Sequence, residues 1–327
     1  MSRENIVVLG GGSGGIAAAA ELGRKLGRDH NVTLVDRAQQ HVYMPALLML
    51  MTGDRAPTDI TRDLKRLERF DVSVVQSTIR NIDVQKEEVI LDDQRLPFDY
   101  LVVSLGLQTH PELIPGFQEA GGQHAWELDA AVRCQQALRD FQGGRVVVGL
   151  PPGPYRCPPA PFETLFSIDS LLRKRGLRDA TEIHYFAATP RPEGPPEAVP
   201  VWLNRHAEER GVRTHYGFEV QSVDPGTREV VSSSGERLPY DLLFIVPPHK
   251  PAQVLLDSGL AGPAGVRVDP YTLTTECGNV WAIGDGADFP GSKAGVVAHQ
   301  QADLVAHNIA VRVTGQGEED RFKLQTT

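Results

Sequence analysis

The chain has 327 residues, about twice the length of a typical domain, so we expect one large or two medium hydrophobic cores. Apolar residues make up 41% and charged residues 23%, an ordinary globular composition that excludes disorder, collagen and coiled coil. The formal net charge is −9, and no basic run is longer than residues 173–175. This charge balance argues against nucleic acid as a partner.

Membrane, secretion and metal signals are weak throughout the chain. Apolar stretches such as residues 45–51 are far shorter than the roughly 20 residues that a membrane span needs, so we expect no transmembrane segment. No secretion signal is visible, and we expect a cytoplasmic protein, with nothing in the sequence to support peripheral membrane association. The cysteines form no CxxC motif and the histidines no close pair, so neither a disulfide framework nor a metal site is indicated.

The N-terminus predicts a dinucleotide-binding βαβ unit, with a strand over residues 6–9, a helix over 16–26 and a second strand over 31–35. The candidate cofactor contacts in the connecting loop are Gly10, Gly12, Ser13, Gly14 and Gly15. Gly10 permits the tight turn, Gly12 lets the backbone approach a pyrophosphate, and Gly15 allows the helix to pack closely on the strand. The diphosphate would lie at the positive N-terminus of the helix.

Further candidate cofactor contacts follow this unit. Asp36, which ends the second strand, would accept hydrogen bonds from the ribose hydroxyls of the adenosine half. It would repel a 2′-phosphate, although Arg37 beside it weakens that selectivity. Pro45 and Ile79 complete this group, although an apolar segment like the one around Pro45 is more often part of a protein core.

Two later segments resemble those of two-dinucleotide-binding-domain flavoproteins and select FAD over NAD for this site. Residues 99–106 read as a buried strand and a glycine turn, with Ser104 and Gly106 as candidate contacts. Residues 279–283 read as a strand that leads to Gly284 and Asp285, which in that class binds the ribityl chain. A helix over residues 294–313 follows, with Ala294 and Gly295 as candidate contacts at its start. Lys293 stands just before it and, with the helix dipole, would stabilise an anionic reduced flavin. A solvated surface lysine is the equally open alternative for Lys293.

The fold class is therefore α/β, with two Rossmann-like dinucleotide-binding domains. We expect a discontinuous FAD-binding domain over residues 1–112 and 247–327, and an inserted NAD-like domain over 113–246. In the second domain the strand over residues 145–149 is followed by a loop with six prolines in residues 151–161. Proline lacks the N–H donor that a pyrophosphate needs, so NADH is not the expected electron donor.

This proline-framed loop carries Cys157 just before a helix. A cysteine at a helix N-terminus has a lowered pKa, which favours the nucleophilic thiolate. Glu163, six residues on, falls in the first turns of the helix and would accept or shuttle its proton. Each residue has an alternative interpretation. Cys157 would be a small hydrophobic side chain buried in the core, and Glu163 a carboxylate that only stabilises the helix N-terminus through the helix dipole.

Several segments resemble the flavocytochrome c sulfide dehydrogenase and sulfide:quinone oxidoreductase family, over nearly the whole chain to about Val313. They are residues 124–126, 154–163, 245–249, and Gly284-Asp285 with 293–295. The resemblance implies FAD, sulfide or another sulfane-sulfur compound as electron donor, and a quinone or a redox protein as acceptor. It also implies that a sulfur chain and a flavin C4a adduct form on Cys157, and that Glu163 is the acid/base of the flavocytochrome branch.

The chain departs from that family in three ways. The family pairs this cysteine with a second one in a C-terminal segment beyond the FAD helix, and here a polar tail over residues 314–327 stands instead. The expected C-terminal amphipathic region, with which quinone-reducing members dock to the membrane, is not seen either, which weakens the expectation of quinone reduction at a membrane. We therefore expect a C-terminally shortened member. Met44 stands near the position of the covalent flavin link in the flavocytochrome branch, so we expect noncovalent FAD.

The primary hypothesis is an FAD-dependent oxidoreductase that oxidises sulfide or a persulfide through Cys157. An NAD(P)H-dependent flavin reductase of the same class and a non-catalytic FAD-binding interaction subunit remain as alternatives. The electron acceptor, the physiological sulfur compound, a partner thiol for Cys157 and a homo-oligomeric state stay open.

Overall fold

The computed structural model describes residues 3–192 and 197–323. Their contacts divide into two compact units, the first within Met1–Val42, Thr61–Gln108 and Lys250–Thr326, and the second within Tyr43–Ile60 and Thr109–His249. The chain therefore enters the second unit twice. The predicted boundaries differ, because they place residues 43–60 in the first domain and end the inserted domain at 246, three residues earlier.

The strands, numbered in chain order, are β1 (Asn5–Leu9), β2 (Asn31–Asp36), β3 (Gln40–Val42), β4 (Thr61–Asp63), β5 (Val72–Gln76), β6 (Ile79–Asp83), β7 (Glu88–Leu91), β8 (Arg95–Pro97), β9 (Tyr100–Val103), β10 (Leu107–Thr109), β11 (Gly144–Leu150), β12 (Thr181–Ala187), β13 (Val212–Tyr216), β14 (Val220–Asp224), β15 (Glu229–Ser232), β16 (Arg237–Pro239), β17 (Leu242–Ile245), β18 (His249–Pro251), β19 (Ala261–Gly262), β20 (Gly265–Arg267), β21 (Val280–Ala282) and β22 (Ala287–Asp288).

The α-helices are α1 (Ser13–Leu26), α2 (Leu47–Thr52), α3 (Pro57–Ile60), α4 (Leu128–Asp140), α5 (Ala160–Lys174), α6 (Ala198–Glu209), α7 (Gln253–Asp257) and α8 (Gly295–Thr314). Short 3-10 helices lie at Met44–Ala46, Leu64–Phe70, Pro111–Leu113, Arg178–Ala180 and Gly284–Gly286.

A parallel sheet of order β21-β9-β1-β2-β5 forms the centre of the first unit. Alternate residues of β1 belong to different hydrophobic clusters, because Ile6 and Val8 pack with α1 and α8 while Val7 and Leu9 face the opposite side. Both faces of the sheet are thus covered, which explains why β1 is a continuous apolar run. The topology places the carboxyl ends of the parallel strands, and the loops that follow them, at one edge.

The second unit has its own parallel sheet, of order β13-β12-β11-β17. Val147, Phe186 and Leu243 from three of its strands belong to one buried cluster. Helix α5 follows β11, begins with proline near its N-terminus and ends with Arg173 and Lys174, as the helix dipole favours. Each unit also carries an antiparallel three-stranded sheet, β6-β7-β8 in the first and β14-β15-β16 in the second.

The predicted α/β class with two parallel-sheet units is confirmed, and the element boundaries differ by a few residues. Helix α1 begins at Ser13, three residues before the predicted start, because the Ile16 N–H already donates to the Gly12 carbonyl oxygen at 3.0 Å. Helix α2 packs on α4, where the Gln135 amide donates to the Leu50 carbonyl oxygen at 2.9 Å, and this contact joins residues 43–60 to the second unit.

Candidate functional site

The glycine-rich loop of the first unit turns from β1 into α1 with almost no spare space. A Cβ on Gly15 would lie 1.8 Å from the Gly10 carbonyl oxygen, and Gly10 itself has φ +102°. A Cβ on Gly14 would lie 2.9 Å from the Ser104 hydroxyl oxygen, whereas a Cβ on Gly12 meets nothing within 4 Å. The loop is therefore closed on its sheet side and open at Gly12, where a phosphate would approach.

Asp36 ends β2 beside this loop, as predicted, but its carboxylate binds backbone groups. One oxygen accepts from the Gly11 N–H at 2.5 Å and the other from the Ala38 N–H at 2.7 Å. His41 Nδ1 donates to the Gly11 carbonyl oxygen at 2.8 Å, so the two peptide groups that flank the Gly11 Cα are both held. Arg37 is exposed next to them. This role of His41 is not predictable from the sequence, since a single histidine carries no local signal.

Ser104 and Gly106 follow β9. The Ser104 N–H donates to the Leu9 carbonyl oxygen at 2.8 Å, and Ser104 is buried, so it fixes the turn beside the glycine loop. A Cβ on Gly286 would lie 2.9 Å from the Gly106 carbonyl oxygen, which requires close approach of the two backbones. Ile79 lies in the antiparallel sheet of the first unit, in strand β6, and is half-buried.

Gly284 and Asp285 form a 3-10 turn after β21. The Gly284 N–H donates to the side-chain oxygen of buried Gln301 at 2.7 Å. Lys293 Nζ donates to the carbonyl oxygens of Asp285 at 2.8 Å and Ala287 at 3.3 Å, and burial lowers the lysine pKa. The Lys293 ammonium therefore binds the backbone of this turn, and Lys293 is not a solvated surface lysine.

Helices α1 and α8 present their N-termini to each other. A Cβ on Gly295, the first residue of α8, would lie 3.6 Å from the Ser13 hydroxyl oxygen at the start of α1. Neither helix has a side-chain cap on its N-cap residue, Gly12 or Ala294, and neither has an acidic residue in its first turn. Two positive helix ends thus lie side by side with their first N–H groups uncapped by side chains.

Pro45, the remaining candidate cofactor contact, belongs to the second unit. It is exposed in the 3-10 turn Met44–Ala46 that leads into α2. Tyr43, Met44 and Met49 in the same segment are also exposed, whereas Leu47 and Leu50 are buried. One face of this segment therefore packs in the core, and its other face is exposed.

Cys157 lies in the loop between β11 and α5, three residues before the helix begins. Its φ is +60°, a left-handed conformation that non-glycine residues seldom adopt. The Ala160 N–H donates to the Cys157 carbonyl oxygen at 2.9 Å, which ties the loop to the start of α5. Cys157 is half-buried and packs against the buried cluster of Trp126, Ala160 and Val246.

Trp126 and Arg156 bind each other next to this cysteine. Trp126 Nε1 donates to the Arg156 carbonyl oxygen at 3.2 Å, and Arg156 Nη2 donates to the Trp126 carbonyl oxygen at 2.7 Å. Both residues belong to segments that resemble the family, but the sequence predicts no structural role for either. No local pattern reveals a pair of residues so far apart in the chain.

Glu163 lies in the first turn of α5, as predicted. Its backbone N–H donates to the Pro159 carbonyl oxygen at 3.0 Å. The carboxylate reaches the surface, but the surrounding protein displaces part of its hydration and raises its pKa. A raised pKa brings a carboxylate closer to the range in which it exchanges protons at neutral pH.

Two buried histidines lie in the same unit. Burial lowers the pKa of His124 to about 4 and the pKa of His249 to about 3. His249 Nδ1 donates to the Pro247 carbonyl oxygen at 2.7 Å, and its ring stands edge-on to Trp126 with centroids 6.4 Å apart. Within the described residues, His124 Nδ1 and His249 Nε2 are buried with no hydrogen-bond partner. Both rings are thus neutral at neutral pH.

The other two cysteines differ sharply in environment. Cys134 is fully buried in α4, its thiol donates to the His124 carbonyl oxygen at 3.1 Å, and burial raises its pKa to about 12. Cys277 is exposed, and none of the three cysteines takes part in a disulfide. Cys134 is therefore a protonated core thiol.

No metal-binding group of three or more His, Cys, Asp or Glu side chains occurs in residues 3–192 and 197–323. Across the same part of the chain, no helix combines the length and apolar character that crossing a membrane requires.

Comparisons with known proteins agree with these features. A family model described as pyridine nucleotide-disulphide oxidoreductase matches residues 4–149 and 170–302. The mitochondrial sulfide:quinone oxidoreductase of Dictyostelium discoideum is 27% identical over 317 residues, which cover 93% of this chain and 70% of that protein. The sulfide-quinone reductase of Aquifex aeolicus is 26% identical over 332 residues, or 94% of this chain and 76% of that one.

A solved structure extends the likeness to the fold. The crystal structure of the sulfide:quinone oxidoreductase from Aquifex aeolicus matches with a TM-score of 0.85 at 24% identity, over 95% of this chain and 77% of that chain. The resemblance predicted from the motifs is thus confirmed at the level of family and fold. The chain is an oxidoreductase that belongs to the pyridine nucleotide-disulphide oxidoreductase family.

Proposed function

We propose that the protein is an FAD-dependent oxidoreductase that oxidises sulfide or a sulfane-sulfur compound at Cys157 and passes two electrons to a quinone or a redox-protein acceptor. The observation that carries the proposal is the place of Cys157. It lies half-buried between β11 and α5, in a proline-rich loop where a nucleotide-binding member would have a glycine-rich one. The sulfide:quinone oxidoreductase names of the relatives support the same substrate and acceptor classes.

FAD fits the first unit, which we propose is the FAD-binding domain. The open space at Gly12 and the uncapped N-terminus of α1 suit a diphosphate, and the adjacent N-terminus of α8 suits the electronegative edge of a flavin. Asp36 would hold the ribose after exchanging its bond to the Gly11 N–H. The candidate contacts are Gly10, Gly12, Ser13, Gly14, Gly15, Asp36, Arg37, Ile79, Ser104, Gly106, Gly284, Asp285, Lys293, Ala294 and Gly295, with Pro45 from the second unit. FAD is held noncovalently in this proposal.

The second unit is then the thiol domain. Its loop after β11 contains Pro151, Pro152 and Pro154, which have no N–H to offer a pyrophosphate. In place of a pyrophosphate-binding loop, this segment presents the thiol of Cys157. This loop supports a sulfur compound, and not a nicotinamide, as the electron donor.

The chemistry at Cys157 balances as a two-electron oxidation. Hydrosulfide and the Cys157 thiol form one sulfur–sulfur bond, so the side chain becomes a persulfide and one proton and two electrons leave. Bound FAD supplies the two-electron acceptor. Glu163, with its pKa raised by burial, accepts the proton.

The sulfur then leaves by exchange. A soluble thiolate attacks the outer sulfur of the persulfide, takes it as a new persulfide and returns Cys157 as the thiolate. This second step transfers sulfur without further change in electron count. It needs no second cysteine, and of the other two Cys134 is buried.

Anaerobic absorbance measurements test the proposal. The purified yellow protein is mixed with sulfide and, separately, with NADH, together with the variants Cys157→Ser and Cys277→Ser. We expect sulfide to bleach the flavin of wild type and Cys277→Ser but not of Cys157→Ser. Bleaching by NADH alone would instead support an NAD(P)H-dependent flavin reductase, and no bleaching by either would support a non-catalytic FAD-binding subunit.

A further inference from the structure

Trp126 and Arg156 form a closed pair of hydrogen bonds directly before the cysteine. The indole N–H of Trp126 holds the Arg156 carbonyl oxygen at 3.2 Å, and the Arg156 guanidinium holds the Trp126 carbonyl oxygen at 2.7 Å. Trp126 is 7% exposed, so its indole N–H has little access to water. Each residue thus supplies a side-chain donor to the backbone of the other.

This pair fixes one side of the Cys157 backbone. The Arg156 carbonyl and the Cys157 nitrogen belong to one peptide plane, so holding that oxygen fixes the plane that precedes Cys157. The Ala160 N–H holds the next carbonyl oxygen, that of Cys157, at 2.9 Å. With both flanking planes held, the two backbone angles of Cys157 are set, at the unfavourable φ of +60°.

The indole that holds the loop is itself held. Trp126 packs with Ala160 and Val246 in the buried cluster that Cys157 borders. The ring of His249 meets it edge-on, with an interplanar angle of 76°, and His249 is anchored by its bond to the Pro247 carbonyl oxygen. The strain at Cys157 is therefore maintained by Ala160 at the start of α5, by Val246 just after β17, and by the Trp126–His249 contact.

We infer that Trp126 and Arg156 are positioning residues that hold Cys157 in its left-handed conformation and thereby set the exposure and reactivity of its thiol. The inference deepens the proposed function and rests on it. A strained backbone at Cys157 serves the protein only if the thiol that it places reacts. Neither residue touches the sulfur compound in this account. Each acts through the backbone of Cys157.

The test is the rate at which iodoacetamide alkylates Cys157 in the FAD-loaded protein, read peptide by peptide by mass spectrometry. Trp126→Phe keeps an aromatic ring and removes the N–H. Arg156→Lys keeps the charge but replaces the guanidinium that makes the second hydrogen bond by a shorter ammonium, which disrupts that bond's geometry. Trp202→Phe and Arg205→Lys are matched controls, since Trp202 and Arg205 are exposed on α6. Two internal controls are present in the same samples. Alkylation of buried Cys134 would reveal general unfolding, and alkylation of exposed Cys277 shows that the reagent is active.

We expect each pair variant to alkylate about fivefold faster at Cys157, as the loss of one ordinary hydrogen bond would allow. The double variant should be no faster than the faster single one, because both changes break the same closed pair. Cys134 should stay protected, the two controls should match wild type, and sulfide-driven flavin reduction should slow by a similar factor in kcat with KM little changed.

Unchanged Cys157 rates in both pair variants would overturn the inference, as would a gain at Cys134 that equals the gain at Cys157. Alkylation does not depend on the proposed reaction. If sulfide does not reduce the flavin of the wild-type protein, the proposed function is wrong. The alkylation rates would still decide whether the pair positions the thiol.

Discussion

Gly15 and Gly10 touch so closely that a single added carbon on Gly15 would fall 1.8 Å from the Gly10 carbonyl oxygen. This contact is what lets α1 start directly against the sheet. The loop therefore contains a glycine that the fold requires, Gly15, and one that no contact within the protein requires, Gly12.

The substitutions Gly15→Ala and Gly12→Ala should therefore have different effects. Gly15→Ala forces α1 away from β1, so we expect it to lower the unfolding midpoint by several degrees and to abolish FAD binding. Gly12→Ala meets no protein atom within 4 Å. It should leave the apoprotein midpoint within about a degree yet weaken FAD retention at least about tenfold, because its methyl group occupies the open side of the loop.

Thermal unfolding of the apoproteins and FAD titration by fluorescence quenching check both variants. Equal FAD affinity in Gly12→Ala and wild type would mean that the diphosphate does not approach the loop from this side.

The cysteines should differ in their reaction with iodoacetamide under native conditions. Burial raises the pKa of Cys134 to about 12, so it holds its proton and is shielded as well. We expect Cys157 and Cys277 to be alkylated at pH 8 and Cys134 only after the protein is unfolded in guanidinium. Peptide mass spectrometry resolves the three sites, and rapid native labelling of Cys134 would contradict its assignment as a core thiol.

The buried histidines His124 and His249 should make stability depend on pH. Their pKa values in the folded protein, about 4 and about 3, lie below the ordinary value of 6.5, so the unfolded chain binds more protons as the pH falls. Their contribution is complete above pH 6.5 and is lost as the pH falls from there toward 4. At pH 5 the loss is about 2 kcal/mol for each histidine.

Urea unfolding at pH 7 and pH 5 measures this loss. The variants His124→Asn and His249→Asn should each show a smaller drop in free energy of unfolding between the two pH values. His299→Asn, which changes a well-exposed histidine, should keep the wild-type drop. Equal pH dependence in all of them would show that the buried rings do not carry the effect.

Asp169 should be among the most sensitive charged residues of the second unit. Its side chain is fully buried and accepts from Arg173, Arg178 and Arg210 at 2.9, 2.7 and 3.0 Å. Burial opposes its ionisation, but the three guanidinium groups outweigh that effect and hold its pKa below the usual range. The cluster joins α5 to the ends of neighbouring elements.

Asp169→Asn should cost about 3 kcal/mol of unfolding free energy, since it leaves partly buried guanidinium groups without their counterion. Glu209→Ala, which breaks the exposed pair with Arg205, should stay within about 0.5 kcal/mol of wild type. Urea titration at pH 7 compares them, and equal costs would contradict a special role for the buried carboxylate.

The sequence predicts the features of this fold that depend on local pattern. The strand, glycine loop and helix around Gly12 follow one after another in the chain, and so does the strand that leads to Asp285. The place of Glu163 in the first turn of α5 also follows from short-range spacing. In each case the residues that determine the structure are sequence neighbours, so their order is enough.

The remaining features depend on contacts between distant residues. Trp126 and Arg156 meet only because β11 and α5 fold around the same cluster, and nothing near either residue indicates its partner. The grouping of residues 43–60 with the second unit likewise rests on the packing of α2 against α4. The hydrogen bond from His41 to Gly11 and the burial of His249 also depend on residues that are distant in the sequence.

Transfer of a sulfur atom to Cys157 tests the central claim most directly. One equivalent of sulfide is added anaerobically to the FAD-loaded protein, the flavin absorbance is followed, and the Cys157 peptide is then analysed by mass spectrometry. The account predicts bleaching together with the mass of one added sulfur atom on Cys157, and neither change in Cys157→Ser. Bleaching that leaves the Cys157 peptide unmodified, or that persists in Cys157→Ser, would contradict it.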